Sequence, residues 1–139
     1  MKRLWLLLPL FLGIPRLLSG QQVSLARVAE ETRRLWLRQD ASALVAHSPQ
    51  LVIQLPGADP SAPIGQQQAR ELLRDFFQRA EEVETLLSDA REVGGGMAFV
   101  EFRRRYRVRG TQEVREQLLL LSFREGGNRW NLVELRVGH

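Results

Sequence analysis

The stretch "VEFRRRYRVRG", Val100 to Gly110, carries five arginines in eleven residues. Guanidinium groups at that density suit phosphate, provided that they converge on one track. Only "GT" separates Arg109 from Gln112, and glycine followed by one residue suits a two-residue type II′ hairpin turn. The turn predicts that Arg109 faces Gln112, Tyr106 faces Arg115, Arg104 faces Gln117, Phe102 faces Leu119 and Val100 faces Leu121. On the other side of the ribbon Arg105 faces Glu116, Arg103 faces Leu118 and Glu101 faces Leu120. Arg103, Arg105 and Arg107 thus line one solvated strand face on which Arg105 pairs with Glu116. Glu101, Glu113 and Glu116 sit on or beside them and no aromatic ring is interleaved, so nucleic acid is not an expected partner.

Arg104 lies on the opposite face, with Val100, Phe102 and Tyr106. If "EGGN" forms the next turn with Glu125 opposite Asn128, then Gln117 faces Arg136 and Leu119 faces Glu134. A row of Arg104, Gln117 and Arg136 then crosses a mainly apolar face, with Tyr106 and Glu134 beside it. An unpaired buried charge is expensive, so Arg104 is either neutralised by Glu134 or waits for an anion. Arg104, Tyr106, Gln117 and Arg136 are therefore the candidate contacts for the polar end of a ligand. The same register puts Leu118, Leu120, Val133, Leu135 and Val137 on the reverse of the sheet. An apolar back of that size calls for a cover, and a second copy of the chain is the simplest one.

Other chemistries find little support. The two histidines, His47 and His139, form no dyad with an aspartate, and His47 reads as the end of a short helix. Serine or cysteine beside a base is missing for nucleophilic catalysis, metal ligands do not recur at useful spacing, and no cofactor is expected.

The elements that must position these residues follow from periodicity. Leu25, Val28, Ala29, Thr32, Leu35 and Trp36 recur at helical spacing and predict an amphipathic helix over 23–38. Asp40 is suited to cap a second, short helix, "ASALVAH", stopped by Pro49. "QLVIQL" predicts a strand and "PGADPSAPIG" a loop. Gly65 opens a third helix, in which Ala69, Leu72, Leu73, Phe76 and Phe77 share a face. "EEVETLLSDAREV" fits either a strand or an extension of that helix, and the alternation of Val83, Thr85 and Leu87 favours strand. "GGG" is a turn, and three long strands follow, over 97–109, 113–123 and 129–137. Helices first and an antiparallel meander last define an α+β domain with its helices on one face of a curved sheet.

The opening "MKRLWLLLPLFLGIPRLLSGQQ" has the layout of a secretory signal peptide: Lys2 and Arg3, a short apolar run broken by Pro9 and Pro15, then small residues. The expectation is an exported protein, periplasmic or extracellular, with residues 1–20 as leader, residues 21–139 as one domain and no stable membrane anchor after cleavage. The chain has no cysteine, so neither lipidation at the leader nor a disulfide is available. Of its 20 basic and 16 acidic residues, Lys2, Arg3 and Arg16 leave with the leader, and a balance of 17 against 16 exerts little pull on polyanions.

The order of elements, with "QDASALVAHSPQLVIQLPG", "QARELLRDFF" and the terminal "WNLVELRV", resembles the nuclear transport factor 2-like superfamily, and most closely a branch of secreted bacterial domains of unknown function. The resemblance implies a cone in which a bent sheet wraps a long helix and leaves a pocket between them. Members serve as isomerases, hydrolases, binding proteins and scaffolds, so the fold does not choose a function. Members that resemble steroid isomerases use a pocket carboxylate base with a tyrosine acid, a pair for which the resemblance implies Glu134 and Tyr106 as the candidates here. The leading expectation is a non-catalytic domain that binds a small amphipathic or anionic molecule in the cone. The alternatives are a homodimeric structural or interaction module with the cone packed shut, and an enzyme of isomerase or hydrolase type.

Overall fold

The computed structural model describes residues 23–139, so the expected leader lies outside the described residues. Helix α1, Leu25–Leu37, begins at Ser24, whose hydroxyl accepts from the Arg27 amide, and turns Ala29, Thr32 and Trp36 inward. It ends at Gln39, which takes a left-handed φ of 55°. That conformation is unfavourable outside glycine, and two hydrogen bonds offset it here: Gln39 Nε2 donates to Phe77 O (3.3 Å) and Ala80 O (2.8 Å). The residue thereby ties the end of the first helix to the end of the third. Asp40 caps α2, Ala41–Leu44, by accepting from the Ala43 amide at 3.1 Å. This helix is a single turn, shorter than the sequence predicts. Strand β1, Gln50–Gln54, pairs with a two-residue β2, Ile64–Gly65, across the proline-rich loop. Helix α3, Gln66–Gln78, buries Ala69, Leu73 and Phe77 and half-buries Leu72 and Phe76, the face that its period predicts.

Strands β3 (Ala80–Gly94), β4 (Met97–Val108), β5 (Val114–Gly126) and β6 (Arg129–Gly138) form the meander. The sheet order is β2-β1-β6-β5-β4-β3, antiparallel throughout except where β1 lies parallel to β6. The ambiguous segment is thus a strand, and the architecture is the expected α+β cone with helices on one face of a curved sheet. At the free edge β3 is irregular, with register shifts at Val83, Ser88 and Val93. Bulges of this kind bend an edge and spoil it as a template for a further strand.

The β4–β5 register agrees with the sequence reading at every pair from Val100↔Leu121 to Tyr106↔Arg115. The turn itself differs. Thr111 N donates to Val108 O at 3.0 Å, with Gly110 at a φ of 80° in the third position. Arg109 is released from its expected partner Gln112 and caps the end of α3, where its Nε donates to Gln78 O at 2.7 Å.

The β5–β6 register is a correction. Gly126 faces Arg129, Phe123 faces Leu132, and Ser122 then faces Glu134, so Val133 is an extra residue on β6. Beyond this bulge Leu121 faces Leu135, Leu119 faces Val137 and Leu120 faces Arg136. A one-residue slip sends each side chain to the other face. Leu135 and Val137 therefore join the core, while Glu134 and Arg136 go to the reverse of the sheet. The exchange is favourable because two aliphatic side chains leave water and two charged ones stay in it. Leu135→Ala is expected to destabilise the domain by about 2–5 kcal/mol, and Val133→Ala by less than about 1 kcal/mol. Urea unfolding measures both, and a larger loss from Val133 would contradict this register.

Candidate functional site

On the inner face of the sheet β4 presents Val100, Phe102, Arg104 and Tyr106, and β5 presents Gln117, Leu119 and Leu121. Arg104 lies on this face as its register requires, and it is fully buried. Its partner comes from β3. Because Val83 bulges outward, Glu82 and Thr85 both turn inward, and Glu82 closes an ion pair with Arg104 Nη2. The two side chains are 0% and 1% exposed. Arg104 Nη1 donates to Gln117 Oε1 at 3.2 Å, and Thr85 Oγ1 donates to Glu82 Oε2 at 3.4 Å. The Trp36 indole N–H also faces the carboxylate, short of a closed hydrogen bond.

Three rings surround the guanidinium: its Cζ lies 4.3 Å from the Tyr106 ring centroid, 5.1 Å from Phe76 and 5.3 Å from Trp36. Each such contact contributes about 0.5–2 kcal/mol. Burial pushes Glu82 above the usual carboxylate range, with the Arg104 charge pulling the other way. Burial likewise presses Arg104 below its ordinary value, opposed by Glu82.

Above this floor an open cleft of about 600 Å³ lies between α3, the loop after β1 and the sheet. Leu55, Pro56, Leu72, Phe76 and Val108 form its apolar walls, Arg104, Tyr106 and Gln117 its floor, and Asp75, Arg79, Arg115 and His139 its rim. The structure thus brings together Arg104, Tyr106 and Gln117 of the expected contacts. It does not bring Arg136 or Glu134, which pair with each other on the reverse face and border a separate groove. Glu134 therefore neither neutralises Arg104 nor faces Tyr106. His47 is exposed and borders a small cavity of about 90 Å³ away from the cleft. No group of metal-ligating residues occurs among the described residues.

Glu82 is the residue that sequence reasoning missed. It stands in a segment open to two secondary structures, and only a bulge sets it on the inner face. The available signal was the need of Arg104 for a carboxylate, for which "AEEVE" offers three acidic residues beside the strand that must cover it.

An open, curved six-stranded sheet wrapped around helices is the nuclear transport factor 2-like fold, and this chain has it. The resemblance in the sequence is met at the level of fold. A ketosteroid isomerase-like protein from Erwinia carotovora atroseptica superposes with a TM-score of 0.63 at 16% identity, over 81% of this chain and 92% of that one. An NTF-2-like protein of unknown function from Shewanella oneidensis gives 0.61 at 12% identity, over 82% and 95%. A hypothetical protein of ketosteroid isomerase-like fold from Catenulispora acidiphila, solved in complex with trimethylamine, gives 0.65 at 11% identity, over 84% and 87%. No family model and no curated protein matches the sequence.

The two halves of the buried pair differ in what they can do when left alone. In Glu82→Gln the guanidinium has no means of shedding its proton, and a loss of about 3–5 kcal/mol is expected at every pH. In Arg104→Met the stranded Glu82 rises further above its unfolded value of about 4.3. A raised folded value gives stability that is full below the unfolded one and is lost as pH rises through the folded one. Arg104→Met is therefore expected to be more stable in mild acid than above neutrality, while Glu82→Gln shows no such slope. Urea midpoints across that range decide it, and parallel profiles would contradict the pairing.

Proposed function

We propose that this domain is an exported, non-catalytic binding module that holds a small amphipathic molecule in the cleft. The observation that carries the reading is a roomy cleft with apolar walls over a floor whose charge is already neutralised. The apolar part of the ligand lies on Leu55, Leu72, Phe76 and Val108, and its polar end meets Gln117, Tyr106 and the rim. Arg104 acts from beneath, as the group that fixes the floor. Arg136, on the reverse face, takes no part.

Support for a non-catalytic role comes from Glu82. It does not line the cleft and is held by Arg104, so it is not placed to take a proton from a molecule bound there. Export rests on the sequence of the first twenty residues, and no described helix is long and apolar enough to cross a membrane. The outer arginines speak against nucleic acid: Arg105 lies between Glu84 (3.5 Å) and Glu116 (3.7 Å), and Arg107 lies 3.5 Å from Glu81. Protein prepared from its natural source and measured by native mass spectrometry is expected to carry a small molecule released on denaturation. Leu72→Trp, which fills the cleft, is expected to lack it. Wild-type protein that is free of ligand, and that takes up none from an extract of its source, would overturn the reading.

A second reading, a homodimer through the back of the sheet, is favoured by one observation. Two rows cross that face: Asp89, Glu101, Leu120, Arg136, and Arg91, Phe99, Ser122, Glu134. A two-fold axis parallel to the strands, between β4 and β5, sets Asp89 over the partner's Arg136 and Arg91 over the partner's Glu134. Exposed Phe99 and Leu120 lie at the centre. Arg136→Asp is then expected to give a monomer in sedimentation, and Asp89→Arg combined with Arg136→Asp to restore the dimer. A monomeric wild type at high concentration would remove this reading.

A further inference from the structure

The floor of the cleft is not chemically neutral in its hydrogen bonding. A guanidinium has donors only, so Gln117 must turn Oε1 toward Arg104, and the 3.2 Å bond fixes the amide in that sense. Its Nε2 then faces away, and no acceptor among the described residues meets it. Next to it stand the Tyr106 hydroxyl and the Arg115 guanidinium, which interact with each other, Arg115 being further held by Glu113 at 2.8 Å. Arg104 Nε is buried without a partner. Glu82, the carboxylate bound to Arg104, is held there by Arg104 and Thr85. Asp75, the acidic residue that does border the cleft, is exposed at its rim on α3, where Arg79 also borders it. A molecule reaching the floor therefore meets the N–H groups of Gln117 Nε2, which have no acceptor, beside the Tyr106 hydroxyl and Arg115.

We propose that the ligand of this cleft ends in an oxygen acceptor, a carbonyl or a carboxylate, received by Gln117 Nε2 with Arg115, and that a head group that can only donate is disfavoured because it leaves Gln117 Nε2 unmatched. The inference rests on the binding reading above and names the ligand class for that same site. A buried donor left unmatched costs enough to discriminate by at least about tenfold between otherwise equal ligands.

The test uses a matched set of probes, decanoate, methyl octyl ketone and decylammonium, each titrated below its micelle concentration into the purified protein and followed by calorimetry. Decanoate and the ketone are expected to bind, and decylammonium to bind at least about tenfold more weakly. The ketone separates hydrogen bonding from the charge of Arg79 and Arg115. Gln117→Leu is expected to weaken the ketone and decanoate while leaving decylammonium unchanged. Gln117→Glu, which still accepts from Arg104 but shows the cleft an acceptor, is expected to shift preference toward decylammonium. Decylammonium binding as tightly as decanoate in the wild type, or a ketone indifferent to both substitutions, would overturn the acceptor assignment and leave the cleft as a binding site. Failure of all three probes to bind would overturn the binding reading on which it stands.

Discussion

A positive charge sealed beneath two helices must be met by a negative one, and much of this structure follows from where that partner is found. Arg104 has no access to water, and Glu82 is the carboxylate that reaches it. For Glu82 to do so β3 must bulge at Val83, and with that bulge the edge strand acquires its local bend. Trp36 from α1 and Phe76 from α3 close over the same guanidinium, so the pair also sets how the two helices sit on the sheet. Well-packed hydrophobic residues often match or exceed a buried ion pair in stability. What the pair supplies here is a fixed arrangement: one register for β3, one orientation for the Gln117 amide and one depth for the cleft.

That depth bears on function. Proteins of this fold share a cone, and the cone alone selects no chemistry. Here Arg104 and its three rings fill the space beneath the cleft, whose open volume lies between α3 and the loop after β1. Of the polar groups facing that volume, Tyr106, Arg115 and Gln117 come from neighbouring positions of two strands, and their placement is as rigid as the central ladder that carries them.

The order of elements was legible in the sequence because it rests on period and on turn chemistry, which are local. The β4–β5 register was legible as well: "RGTQ" allows little freedom in how two strands meet, and even a different turn type preserved the pairing. The sequence misled where a strand gains one residue. Val133 and Val83 are ordinary β-branched residues with no local mark of a bulge, and each reverses the faces of the residues beyond it. Hence Arg104, Tyr106 and Gln117 were placed together correctly, Glu134 and Arg136 were placed on the wrong side, and Glu82 was overlooked. In each case the deciding term is tertiary: which charges end in water and which aliphatic groups do not.

The place of β6 in the sheet has a consequence of another kind. Made after every other described strand, it lies inside the sheet, with β5 on one side and β1 on the other. The meander from β3 to β6 assembles from neighbours in sequence, but β1, more than seventy residues upstream, has only the two-residue β2 until β6 arrives beside it. Its parallel contact is therefore the long loop closure of this topology and carries the largest entropic toll in reaching the native state. Until that strand docks, β1 lacks its parallel partner, while α1 already has β3 to pack on. A chain that stops short of Arg129 would expose the flank of β5 together with the unpaired side of β1, a state open to association with other unfinished chains.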